Sequence, residues 1–154
     1  MGDHNRKQDR RPNVVFRLTN FSRNWADFQL DNVQASISQV ACNSLDELVE
    51  GLVWVCQGET AISHWYLEPD FLLLQCGPTG YQIKREHQRS NPLPGQPSHD
   101  SSYLLQRRVP LESYFPVFLG ELERLSDTKT SGCFWKPNLE PLYRVARERG
   151  LIRA

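Results

Sequence analysis

The stretch that decides the fold is SLDELVEGLVWVCQG, residues 44–58. Its apolar residues recur at the spacing that places them on one face of a helix. Ser44 and Glu47 fit a capping box, in which the Ser hydroxyl and the Glu carboxylate each accept a hydrogen bond from a backbone amide at the helix start. Gly58 is typical of a helix end. The sequence therefore predicts an amphipathic helix that begins beside Ser44 and ends before Gly58.

Short runs rich in β-branched and aromatic residues lie on both sides of this helix. They predict strands at residues 14–18, 25–30, 33–40, 62–67, 71–76, 81–87 and 103–109. Pro69 marks a break or an edge bulge, because proline cannot donate to a ladder. Gly77-Pro78-Thr79-Gly80 supplies a turn. Two apolar stripes near the C-terminal end predict closing helices, and the first helix is expected to begin close to Pro116, since proline disrupts a helix interior.

The order of these elements, β-β-β-α-β-β-β-α-α, lacks regular alternation of strand and helix. It predicts an α+β fold, a single domain with a mostly antiparallel sheet of about five to six strands and two to three helices packed on it. The length of 154 residues suits one domain. We expect that domain to span residues 14–154, with a flexible, charged N-terminal arm at 1–13 and a mobile, proline-rich loop at 91–101.

The composition excludes several classes of protein. With 39% hydrophobic and 23% charged residues, the chain is too apolar to be disordered. It has no run of 18 apolar residues that would cross a membrane, and its first residues lack the apolar segment of a signal peptide. The four cysteines form no CxxC pair, so we interpret them as buried thiols, not as metal ligands. The expected location is cytoplasmic.

The formal net charge of zero hides a segregation along the chain. Residues 25–75 contain eight carboxylates and no Lys or Arg, whereas residues 1–24 and 76–108 are basic. On a helical wheel, Trp54 lies roughly 180° from the apolar stripe, between Glu47 and Glu50. An exposed Trp among carboxylates is typical of a protein–protein anchor. The alternative is that another element covers this face and that Trp54 belongs to the core.

Signatures of catalysis are weak. The four histidines form no HxxxH or HExxH pair, and no Ser lies in GxSxG. His64 and Glu68 would lie about 13 Å apart in an extended run, too far to share a metal. A small enzyme remains an alternative only if tertiary structure assembles an acid–base pair.

A second alternative is a single-stranded nucleic-acid-binding module. Lys84, Arg85, Arg89, Arg107 and Arg108 lie on two predicted strands that also carry Tyr81 and Tyr103. Side by side, these strands could present a basic, aromatic sheet face, which is how some single-strand binders work. The competing interpretation is a solvated face that pairs with the acidic segment.

The layout of residues 44–87 carries a family resemblance. It consists of the helix SLDELVEGLVWVCQGE, the strand region HWYLEPDFLLLQC and the segment GPTGYQIKREH, and VPLESYFPVFLGELERL follows later as a helix after the last strand. This layout is similar to that of small cytoplasmic immunity proteins of bacterial contact-dependent growth inhibition and polymorphic-toxin systems. The resemblance implies a non-enzymatic protein that binds one cognate toxin domain and blocks its active site or substrate groove.

We therefore predict an immunity protein that neutralises a cognate toxin through an acidic and aromatic surface. A nuclease-like, basic toxin is expected, because nuclease surfaces must be cationic to hold phosphates. Complementary charge speeds association and rejects wrong partners. No catalytic residue, cofactor or metal is expected, and neither nucleic acid nor membrane is the expected partner. The candidate partner-binding residues are Glu47, Glu50, Trp54, Glu68 and Asp70.

Overall fold

The computed structural model describes residues 13–38, 41–89, 91–97 and 99–153. Within them, the strands are β1 (Phe16–Thr19), β2 (Trp25–Leu30), β3 (Val33–Ser38), β4 (Ala61–Tyr66), β5 (Phe71–Gly77), β6 (Gly80–Gln88) and β7 (His99–Arg108). The helices are α1 (Ala41–Cys56), α2 (Leu111–Ser126), α3 (Thr128–Ser131) and α4 (Glu140–Glu148). The predicted α+β class is confirmed.

The strands form two antiparallel sheets, in the orders β1-β2-β3 and β4-β5-β6-β7. Strands that follow one another in sequence are neighbours within each sheet, which is the common arrangement of antiparallel strands. The predicted turn after β5 is confirmed, with Gly77 opposite Gly80 across the hairpin. Gly80 has φ +154°, and a Cβ there would lie 2.1 Å from the carbonyl oxygen of Arg107 on β7. Only glycine allows the two backbones to approach this closely.

The two sheets and the helices share one apolar core. Its centre is aromatic: the ring of Phe16 on β1 stacks on Phe118 of α2 with centroids 4.8 Å apart, and Phe28 lies 5.1 Å from Trp65 of β4. Trp65 is fully buried, and its indole N–H donates to Ser63 Oγ at 2.9 Å. Burial of these large side chains stabilises the contact between the sheets.

Two edge strands are capped by helix side chains. On β1, the backbone N–H of Leu18 donates to Glu121 Oε2 at 2.8 Å, and Arg124 Nη2 donates to the Leu18 carbonyl at 2.7 Å. On β4, the backbone N–H of His64 donates to Glu47 Oε1 at 2.6 Å, and Ser44 Oγ donates to the His64 carbonyl. In each case, residues i and i+3 of a helix satisfy the backbone groups that a further strand would otherwise bind.

The structure corrects the two helix starts. Helix α1 begins at Ala41, before Ser44, so the predicted capping box is wrong: Ser44 and Glu47 lie inside the helix and bind β4. Helix α2 begins at Leu111 and contains Pro116. Pro116 cannot donate to the carbonyl of Glu112, but both residues are exposed, so water can bind that carbonyl.

Other boundaries also differ from the predictions. In the described part of the chain seven strands form, one near each predicted run. The single sheet of about five to six strands that was expected is replaced by two sheets. The predicted loop 91–101 is shorter, because His99–Ser101 already belong to β7. The predicted flexible arm falls outside the described residues except for Asn13, whose carbonyl accepts a hydrogen bond from Arg107 at 3.0 Å. The short helix α3 was not predicted.

Candidate protein-binding surface

Helix α1 presents one apolar and one polar face. Its leucines at 45, 48 and 52 are buried, whereas Trp54, on the opposite side, is 58% exposed. The interpretation of Trp54 as a core residue is therefore wrong. Its exposure is a consequence of the helical period, because the apolar stripe already faces the sheets.

Glu50 lies one turn before Trp54 on the same exposed face. Helix α1 contains no Lys or Arg, and none of the ion pairs between described residues involves Glu50. Residues four apart on a helix are surface neighbours, so the Glu50 carboxylate and the Trp54 indole form one exposed pair. A partner protein could contact both groups together.

Glu47 belongs to this face as well but is partly committed to the fold. Its carboxylate accepts the His64 backbone N–H, and both of its oxygens lie 3.1 Å from His64 Nδ1. Its side chain nevertheless keeps 42% exposure. Glu47 and Glu50 line a surface depression of about 280 Å³ together with Asn43, Ser44, Asp46 and Tyr66. We give the name acidic surface to the solvent-facing residues Asn43, Asp46, Glu47, Glu50 and Trp54 of α1 together with Tyr66.

A further exposed aromatic residue, which the sequence analysis missed, lies in the segment after α3. The Trp135 indole N–H donates to Asp46 Oδ1 at 2.8 Å, which attaches the segment after α3 to α1. Phe134, next to Trp135, is 89% exposed. No periodicity marks Phe134, because it lies outside helices and strands; only a solvent-facing Phe between buried neighbours identifies it, and that requires coordinates.

Glu68 lies away from Trp54. Gly51 of α1 packs on Ala61 at the start of β4, and Glu47, one turn nearer the start of α1, binds His64 further along β4. Strand β4 therefore runs antiparallel to α1. The chain after β4 therefore continues past the N-terminal end of α1, and Trp54 lies near the other end. Glu68 is exposed in that connection. It borders the acidic surface only at the Tyr66 end.

Asp70 does not belong to the exposed surface, which corrects the sequence-based choice. It is only 4% exposed. Arg85 donates to Asp70 Oδ2 through Nη2 at 2.7 Å and through Nε at 3.1 Å, and His87 Nδ1 lies 2.9 Å from the same oxygen. The hydrogen bonds from His87 and Arg85 lower the pKa of Asp70. Its charge is therefore satisfied inside the molecule.

The acidic segment 25–75 is neutralised by arginine only in part. Asp31 Oδ2 lies 2.8 Å from Arg107 Nη1, and Asp70 pairs with Arg85. Among the described residues, the other six carboxylates of this segment form no ion pair with Lys or Arg. The negative charge that remains is concentrated at α1 and the connections that follow it.

The five basic residues of the nucleic-acid hypothesis do not share one face of the sheet. Successive strand residues point to opposite faces, so Lys84 and Arg85 are separated by the sheet. Lys84 Nζ lies 3.9 Å from Glu86 Oε2, and Tyr81 is buried. Carboxylates form ion pairs with four of the five basic side chains, namely Lys84, Arg85, Arg89 and Arg107.

A metal site and a membrane-spanning helix are both absent from the described residues. Among the described residues, no three His, Cys, Asp or Glu side chains lie close enough together to hold a metal ion. No helix in the same part of the chain is both long enough and apolar enough to cross a membrane. Comparisons with family models, with curated proteins and with solved structures find no match to the chain.

Proposed function

We propose that this chain is a non-enzymatic immunity protein that binds and neutralises a basic, nuclease-like toxin domain through the acidic surface. The observation that carries the proposal is the exposed pair of Glu50 and Trp54 on a helix without any cation. The family resemblance of residues 44–87 supports the same class of protein.

Trp54 can supply much of the binding free energy. A Trp side chain buries up to about 250 Å² on full desolvation. With 58% of its surface exposed, Trp54 has roughly 145 Å² left for a partner. At about 25 cal/mol per Å² of apolar surface, its burial would contribute up to about 3.6 kcal/mol, the size expected of a hot-spot residue. Because α1 is anchored on β4, little backbone entropy is lost on binding.

The carboxylates determine which partner fits. A cationic substrate groove placed over Glu47 and Glu50 satisfies their charge, whereas an acidic partner is repelled. A nuclease groove has this cationic character because it holds phosphates. Occupying such a groove blocks substrate entry without any chemistry by the inhibitor.

The test is co-expression with the toxin domain encoded immediately upstream, measuring growth rescue and complex formation by purified proteins. We expect the wild-type chain to restore growth and to form a stable 1:1 complex. Glu50→Lys should lower the association rate and weaken its salt dependence, whereas Glu112→Lys, an exposed change on the first turn of α2, should leave both unchanged.

Two results would overturn the proposal. One is that the wild-type chain neither binds the basic domain nor rescues growth. The other is that the Glu50 and Glu112 variants bind equally well, which would mean that the complex uses another face. Both positions are exposed, so both variants are expected to fold. Thermal or urea unfolding of each variant checks this.

A further inference from the structure

From the placement of Phe134 we infer a second aromatic anchor, one that makes the partner surface bipartite: an apolar pocket for Phe134 and another for Trp54, with a cationic patch between them. This inference rests on the proposed function, because it describes the partner of the same surface. It adds a residue and a requirement on the partner that the acidic helix by itself does not imply.

Phe134 is exposed although its neighbours are buried. It is 89% exposed, whereas Cys133 is 5% and Trp135 is 3% exposed. Burial of a Phe side chain is worth roughly 1.5–3 kcal/mol to a fold, and Phe134 contributes almost none of this to its own chain. It is therefore not explained by folding, and large exposed apolar side chains are typical of contact sites.

The backbone on both sides of Phe134 is held in place. The N–H of Cys133 donates to Ser131 Oγ at 3.0 Å, and the Trp135 indole is bound to Asp46 at 2.8 Å. The ring of Phe134 thus projects from a fixed position. An anchor that is ordered before binding loses less entropy on association than one on a free loop.

Asp46 fixes the position of Phe134 relative to Trp54. Asp46 and Trp54 are eight residues apart in α1, which is about 12 Å along the helix axis at 1.5 Å per residue. Phe134 adjoins Trp135 in the chain, and the Trp135 indole binds Asp46, which lies toward the end of α1 opposite Trp54. Glu50 lies midway along α1 between Asp46 and Trp54.

This arrangement specifies the chemistry of the partner. It is a protein domain with Lys or Arg side chains opposite Glu50 and two apolar pockets on either side of them. Nucleic acid does not fit, because its phosphates would be repelled by the carboxylates between the two rings. Aromatic anchors separated by charges also favour one cognate partner over homologues, since both pockets must match.

The experiment measures association and dissociation rates of Phe134→Ala with the same upstream-encoded basic domain. We expect about a 30-fold weaker affinity, carried by a faster dissociation rate, because apolar anchors act mainly after encounter. Glu50→Lys should instead change the association rate. Leu93→Ala is the matched control, since Leu93 is a 65% exposed apolar residue in the 91–97 loop.

The possible outcomes separate the two proposals. If the wild-type chain binds but Phe134→Ala dissociates as slowly as Leu93→Ala, the second anchor is refuted and the proposed function stands. If the wild-type chain does not bind the basic domain, the proposed function fails and the second anchor fails with it. A midpoint of urea unfolding equal to that of the wild type shows that any loss of binding by Phe134→Ala is not a loss of folding.

Discussion

Glu47 and Glu50 lie one turn apart on α1, yet the structure gives them different roles, and this difference can be measured without any partner. Glu47 accepts the backbone N–H of His64 and contacts its imidazole, whereas Glu50 has no ion pair among the described residues. We therefore expect Glu47→Ala to destabilise the chain and Glu50→Ala to leave its stability unchanged.

The magnitude follows from the contacts. A hydrogen bond to a charged group contributes about 1.5–3 kcal/mol, and the 42% exposure of the Glu47 side chain favours the lower end because water can replace the carboxylate. The half-exposed contact with the His64 ring adds at most about 1 kcal/mol. The expected loss is thus about 2 kcal/mol. Helix propensity changes equally in both variants, so their difference isolates the contact with β4.

Urea unfolding followed by tryptophan fluorescence or circular dichroism measures this difference. With a denaturant slope of about 2 kcal/mol per M, the Glu47→Ala midpoint should fall by roughly 1 M. Glu50→Ala should unfold within about 0.5 kcal/mol of the wild type, as expected for an exposed side chain without partners. Equal midpoints for the two variants would refute the assignment of Glu47 to the edge of β4.

Three further outcomes follow from buried polar groups. Glu121→Ala should cost about 3–5 kcal/mol in urea unfolding, because it leaves the Leu18 amide without its acceptor and Arg124 without its carboxylate partner. Glu121→Gln should cost less, and equal small losses for both variants would contradict this. The pKa of Asp70 is lowered in the folded state, so its contribution to the free energy of unfolding is present above about pH 4 and is lost as pH falls through the folded pKa. Asp70→Asn should therefore reduce the loss of stability measured between neutral and acidic pH. An unchanged acid dependence would exclude Asp70 as its cause. Burial raises the pKa of Cys56 to about 11 and of Cys76 to about 12. Alkylation of both thiols at pH 8, measured by peptide mass spectrometry, should therefore be slow in the folded chain and fast in urea. Rapid labelling of the folded chain would show that the thiols are accessible.

Local patterns were sufficient for most of the elements. The apolar spacing of residues 45–56 predicts α1 and places Trp54 opposite the apolar stripe, because a helix has a fixed period. Whether another element covers Trp54 stayed open until the structure showed it exposed. Alternation along 33–40 predicts β3, and the apolar and aromatic residues of 25–30 predict β2. The Gly77–Gly80 turn was also predicted, since its residue types have few other uses.

Contacts between distant segments could not be predicted in this way. A Ser followed three residues later by Glu is compatible with a capping box or with a pair of hydrogen bonds to the edge of a strand. Only the position of β4 decides that Ser44 and Glu47 bind the backbone of His64. Pro116 is tolerated inside α2 because its side of the helix faces water, which no local pattern shows.

The sequence by itself determined the class of fold and the acidic character of the middle segment, because periodicity and composition are local properties of the chain. That no other described element covers Trp54 was decided by the tertiary structure. Only the tertiary structure decided which charges remain available: Asp70 is satisfied by Arg85 and His87, whereas Glu50 stays unpaired among the described residues. It also attached Trp135, the chain neighbour of Phe134, to α1. The physical reason is that ion pairs and docked loops depend on distances between segments far apart in the chain, and folding, not spacing, sets those distances.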